Sequence, residues 1–169
     1  VGFGVAAALT SVSASTLAGC ATAPAVGGAC ERPATLRVAI AAGPLLNPDD
    51  TGTPLPTEVR LYQLRDAARV EGLAFDDVWR DGDAALGDAR VSTQVITVYP
   101  GEPAEGALAA SPDAHALAAV AIVRQPAGHA WRVVVPLDDV PCGAAATITL
   151  RVDEYRIERE GALPRTGGT

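Results

Sequence analysis

The chain has no lysine and no methionine, only two histidines, and few aromatics: two Trp, three Tyr and two Phe. Each shortage excludes something. Scarce aromatics leave Val, Leu, Ile and Ala to build the core, and leave few rings for a ligand platform. Thirteen arginines against twenty acidic residues give a net charge of −7, so no basic face is available to displace counterions, and nucleic acid is not an expected partner. The same balance gives no electrostatic grip on anionic lipid. No G-x-S-x-G elbow, G-x-G-x-x-G turn or P-loop occurs. His115 follows Ser111-Pro112-Asp113-Ala114, and His129 follows Pro126-Ala127-Gly128, so both read as turn residues rather than as catalytic bases. The pairs Asp138-Asp139 and Asp153-Glu154 fall at strand ends, where neighbours face opposite sides, and read as solvated charges. Two histidines and the cysteines have the ligand types for zinc but no close paired spacing. Asp49-Asp50 lacks the D-x-D-x-D-G ladder of a calcium loop. No enzyme, metal or cofactor is expected.

Charge is also missing from the whole of Val1 to Cys30. Within that run, Val5-Ala6-Ala7-Ala8-Leu9 forms a short apolar centre, and Leu17-Ala18-Gly19-Cys20 resembles the lipid-attachment box of a bacterial lipoprotein. A signal peptidase needs small side chains in an extended cut site, and lipidation needs a thiol at the new N-terminus. Residues 1–19 are therefore expected to be a cleaved signal peptide and Cys20 to carry acyl chains. At about 0.8 kcal/mol per buried methylene, two or three chains hold a protein to a bilayer lastingly. An uncleaved membrane helix fits less well, because the run is short and rich in Ser, Thr and Gly. With no initiator Met and no positive n-region, the natural start is expected upstream or at a misannotated codon. From Ala21 to Gly28 the chain offers nothing to bury, and residues 20–31 read as a flexible lipid tether. Cys30 and Cys142 remain. In an oxidising envelope compartment they are expected to form a disulfide, which would close a very long loop and contribute up to about 4–5 kcal/mol.

Residues 32–158 carry short alternating runs. Leu36, Val38 and Ile40 alternate with polar or small residues, as do Val59–Leu64, Val91–Tyr99, Ala104–Ala109, Trp131–Val135 and Thr147–Val152. Leu117–Val123 has no charge and suits a strand covered on both faces, and Tyr155–Ile157 extends or pairs with the strand before it. Seven or eight strands between Pro/Gly turns predict an all-β, antiparallel β-sandwich. One stretch breaks the period: Phe75, Val78 and Trp79 recur at helical spacing, with Asp76 and Asp77 near the start and Gly87 as a stop. A short helical insert is expected between strands 2 and 3, with Trp79 anchoring it on the sheet. Residues 159–169 lack any apolar period and are expected to form a disordered tail.

The polar stretch that stands out is Asn47, Pro48, Asp49, Asp50, Thr51, Gly52 and Thr53, running on to Pro54-Leu55-Pro56. A hairpin between the first two strands needs only two to five residues, yet this connection is long and stiffened by four prolines from Pro44 to Pro56. Two readings stand: a pre-ordered binding surface, because rigidity lowers the entropy lost on docking, or an Ω-loop that only covers the sandwich end.

This stretch, running into Val59-Arg60-Leu61-Tyr62-Gln63-Leu64, resembles the signature segment of the type VI secretion system outer-membrane lipoprotein family, TssJ (VasD/SciN-like). Phe75 and Trp79, Leu86-Gly87, Pro100-Gly101-Glu102, Trp131-Arg132 and Val135-Pro136-Leu137 support it, and the box at Cys20 sits where that family has one. Thr53 stands where a basic residue is expected, and Thr57 where valine is usual. The resemblance implies a transthyretin-like sandwich, anchored by lipid to the outer membrane and facing the periplasm. It further implies that the loop between the first two strands contacts the periplasmic domain of the inner-membrane component TssM, within the envelope-spanning secretion complex. A ligand-binding envelope lipoprotein, using the same sandwich for a glycan or peptide, is the alternative; it would require exposed aromatics aligned on one sheet face.

Overall fold

A computed structural model describes residues 1–2, 33–128, 130–140 and 147–161. Eight strands form two four-stranded sheets. Along the chain they are β1 (Thr35–Ala42), β2 (Thr57–Leu64), β3 (Arg90–Val98), β4 (Pro103–Ala109), β5 (Ala116–Ala121), β6 (Arg132–Pro136), β7 (Thr147–Asp153) and β8 (Arg156–Arg159). One sheet has the order β4-β1-β7-β8 and the other β3-β2-β5-β6. The β-sandwich expected from the alternation is present, with one departure from antiparallel order. β1 runs parallel to β7, Val38 opposite Ile148 and Ile40 opposite Leu150. Alternation fixes which face of a strand is buried, not the direction of its neighbour, and these two strands are too far apart in sequence to be tied by a hairpin.

The inner faces meet in one core. Leu36, Val38 and Ile40 of β1 and Ile148, Leu150 and Val152 of β7 face Val59, Leu61, Leu117 and Val135 of the other sheet, all buried. Replacing a leucine of this layer, such as Leu61, by alanine costs about 2–5 kcal/mol. β5 is buried on both faces, as its lack of charge predicts. β2 shows where the cover begins: Glu58 is exposed and Arg60 half-buried, whereas Tyr62 and Leu64 further along the same face are fully buried.

That cover is the helical insert, α1 (Ala67–Glu71) and α2 (Phe75–Leu86), followed by a 3-10 turn at Gly87–Ala89. Asp66 caps α1 by accepting the Ala68 N–H at 2.9 Å. At the start of α2 the Asp77 carboxylate accepts the Ala74 N–H at 3.3 Å. The helix kinks at Asp81 (φ −156°, ψ 82°), whose carboxylate accepts the Ala84 N–H and restarts it. The buried stripe is Val78, Gly82 and Leu86, four residues apart. A Cβ on Gly82 would lie 2.3 Å from the Tyr62 hydroxyl, so only glycine lets α2 lie this close to β2. Trp79, expected as the anchor, falls beside the stripe and is 53% exposed; a spacing of i, i+3, i+4 marks an arc of the helix, and the sheet takes only part of it. The buried anchor is Trp131, against whose ring Phe75 packs edge-on at 5.4 Å. Beside it, the Arg132 guanidinium donates to the carbonyls of Val70 (2.7 Å), Leu73 (2.8 Å) and Glu71 (2.5 Å), satisfying the C-terminal end of α1. Arg159, expected in the tail, belongs to β8, and the Glu160 N–H still reaches the Thr149 carbonyl at 2.9 Å.

Candidate functional site

The connection between β1 and β2 begins where the Gly43 N–H donates to the Val152 carbonyl at 2.7 Å. Leu46 is fully buried and plugs the end of the core, and the Leu55 N–H returns to the Leu46 carbonyl at 3.0 Å, closing a neck. Between those residues the chain makes a compact polar tip. Asn47 sits in the left-handed region (φ 44°), which its short side chain tolerates, and is 5% exposed. Its N–H donates to the Glu154 carbonyl (2.7 Å) and its Oδ1 accepts the Arg124 N–H (2.8 Å). It thus pins the loop to two other turns at the same end of the sandwich.

Asp49 organises the tip. Its Oδ1 accepts the N–H of Thr51 (2.8 Å), the hydroxyl of Thr51 (2.7 Å) and the N–H of Thr53 (2.9 Å). The Asp49 N–H donates to the Thr53 carbonyl, and the Gly52 N–H donates to the Asp49 carbonyl, both at 2.9 Å. Gly52 takes φ 85°, a conformation that L side chains rarely adopt. The Thr51 hydroxyl and then the Thr53 and Thr51 N–H groups hold the Asp49 carboxyl below its ordinary value. From outside, the Tyr155 hydroxyl donates to the Pro48 carbonyl at 2.9 Å. Arg124 pairs with Asp50 at 3.3 Å across largely exposed side chains, worth well under about 1 kcal/mol.

The residues singled out in the sequence therefore divide. Asn47 spends its polar groups on the neighbouring turns and Asp49 its carboxylate inside the loop, whereas Asp50, Thr51, Gly52 and Thr53 stand exposed. Sequence reasoning missed Arg124, Glu154 and Tyr155, which hold the loop from 74 to 107 residues away; no spacing signals contacts of that range. Between the turns that carry them lies an open cavity of about 570 Å³, with Pro126, Ala127 and Tyr155 among its lining. The turn after β3 joins the same end, the Gly101 N–H donating to the Gly43 carbonyl at 3.1 Å, and next to it Tyr99 is exposed, as is Leu45.

Cys20, Cys30, Cys142 and His129 lie outside the described residues, as do residues 1–19 beyond the first two and the tether. Among the described residues, no three His, Cys, Asp or Glu side chains come together in a way that could hold a metal ion, and no helix is long and apolar enough to cross a membrane.

Three solved structures share this architecture. The Serratia marcescens Lip protein, described as a membrane-bound component of the type VI secretion system, superposes with a TM-score of 0.68 at 16% identity, covering 75% of this chain and 97% of its own. The type VI lipoprotein TssJ1 from Pseudomonas aeruginosa gives 0.63 at 21% identity, with 77% and 98% covered. A chain from a structure described as the type VI protein TssM C-terminal domain (869–1107) from EAEC gives 0.65 at 20%, with 76% and 98% covered. At these identities the likeness establishes the fold. No curated protein matches the sequence. The profile described as "Type VI secretion lipoprotein, VasD, EvfM, TssJ" matches residues 34–155, from just before β1 to just past β7. The chain belongs to that type VI secretion lipoprotein family, whose members are membrane-bound structural components and not enzymes.

Proposed function

We propose that this chain is the outer-membrane lipoprotein of a type VI secretion membrane complex, moored through acyl chains on Cys20 and joined to its inner-membrane partner by the tip of the β1–β2 loop. The partner is the periplasmic domain of the TssM component. The observation that carries the reading is the pre-ordered tip: every turn of residues 46–55 is fixed by hydrogen bonds, while Asp50, Thr51, Gly52 and Thr53 face solvent. A loop ordered before binding loses little entropy on docking. The EAEC structure adds support. This 169-residue chain covers 98% of the matched chain with 76% of itself, which makes that chain far shorter than the 869–1107 segment named and suits a companion held beside it. The Ω-loop reading explains the buried Leu46 and Asn47 but not an ordered, outward polar tip.

A glycan- or peptide-binding sheet loses its requirement. Trp131 and Tyr62 are buried, Tyr155 is half-buried, and the exposed Trp79 and Tyr99 stand on different elements. The test is co-purification from detergent-solubilised envelopes. The wild-type chain is expected to bring down a large inner-membrane protein with a periplasmic domain, and the tip variant D50A/T53A to lose it. Equal recovery by both would contradict the role given to the tip.

A further inference from the structure

Four strands stand at the sheet edges: β4 and β8 in one sheet, β3 and β6 in the other. The unpaired ladder groups of an edge invite another strand, and proteins blunt them with charge, proline or short length. Three of the four are blunted. β4 carries Pro103, Glu105 and Gly106; β8 has four residues, with Arg156, Glu158 and Arg159 among them; β6 has five, opening on Arg132 and closing on Pro136. β3 is nine residues long, and no charge follows Arg90 until Glu102. Its outward row is Thr93, Val95 and Thr97, continued by Tyr99; Val95 is 53% exposed and Tyr99 51%. α2 reaches the strand through Asp83, bonded to the Thr93 hydroxyl (2.9 Å) and paired with Arg90 (3.4 Å), and leaves Val95, Thr97 and Tyr99 open.

We propose that β3 is a contact between two copies of this chain, their β3 strands pairing antiparallel about a two-fold axis at Val95. An isologous contact demands a self-complementary row, and this one qualifies. Val95 meets its own copy and Thr93 faces Thr97, β-branched pairs that stabilise antiparallel ladders. No like charges oppose each other, although the chain as a whole carries −7. One strand pair buries less than the roughly 1,200 Å² of a stable interface in solution. The contact therefore belongs to the membrane, where the family's lipid anchor confines copies to one leaflet and raises their effective concentration. It does not rest on the β1–β2 loop, whose tip is formed by other residues.

The test is light-activated cross-linking with p-benzoylphenylalanine placed at Thr97 of the whole chain in cell envelopes. The expected product is an adduct of twice the chain's mass. It should fall at least tenfold in V95K and in V95E, where like charges meet at the axis, and return when V95K and V95E are co-expressed, because opposite charges then meet. Melting temperatures of both variants within about 2 °C of wild type show that the exposed substitution leaves the fold intact. No adduct at twice the mass, an adduct only to a different protein, or one that persists undiminished in V95K overturns the proposal.

Discussion

Asn47 joins three constraints in one residue: a left-handed backbone, a donor to Glu154 and an acceptor for the Arg124 N–H. Alanine there removes the acceptor of the part-buried Arg124 N–H and strains the backbone. N47A is expected to lose about 1–3 kcal/mol of stability, and N47G less, because glycine keeps the conformation; thermal unfolding measures both. Asp49 gives a pH signature. Its carboxyl is held below its ordinary value of 3.8, so the order it lends the tip is complete above 3.8 and is lost as pH falls through the lowered value. The protection of the Thr51 and Thr53 amides against hydrogen exchange, taken relative to the unfolded chain's own rate at each pH, should hold to pH 4 and fall only in stronger acid. In D49N, which keeps one acceptor but no charge, they should exchange faster at neutral pH. Unchanged exchange in D49N would remove Asp49 as the organiser. The turn chemistry of Asn, Asp and Gly is legible in the sequence; the partners Arg124 and Tyr155 are not, because contacts across the fold leave no local spacing.

At the scale of elements, strand alternation reads well wherever one face is core. Leu36, Val38 and Ile40 keep their inward side, and the uncharged β5 is covered twice. The helical insert is equally legible from Phe75, Val78 and the aspartates at its start. Trp79 is not, since helical spacing names an arc, and the kink at Asp81 with the Gly82–Tyr62 approach decides which part of it packs. A single arginine then closes the short α1. Five residues cannot sustain a helix alone, and Arg132 takes three carbonyls at its end. R132L is expected to cost about 1.5–3 kcal/mol and to expose α1 to proteolysis before the sheets unfold. A wild-type melting temperature in R132L would show that α1 stands without its clamp.

For the whole molecule, two sheets are readable from the strands, but the parallel β1–β7 pair and the gathering of four turns at one end are properties of the closed sandwich. In the proposed role, a lipid at one end of the chain and a stiff tip on the folded domain act together. C20S is expected to leave a folded protein that partitions into the soluble periplasmic fraction; retention in the membrane fraction would remove the anchor from Cys20. The tip's charges are already engaged, Asp49 with the threonines and Asp50 with Arg124. The most direct measurement pairs the dissociation constant of D50A/T53A for the partner's periplasmic domain with its melting temperature, on the same preparation. An affinity loss of tenfold or more with an unchanged melting temperature is predicted. Wild-type affinity, or a loss that only follows a fall in stability, would contradict the tip as the point of contact.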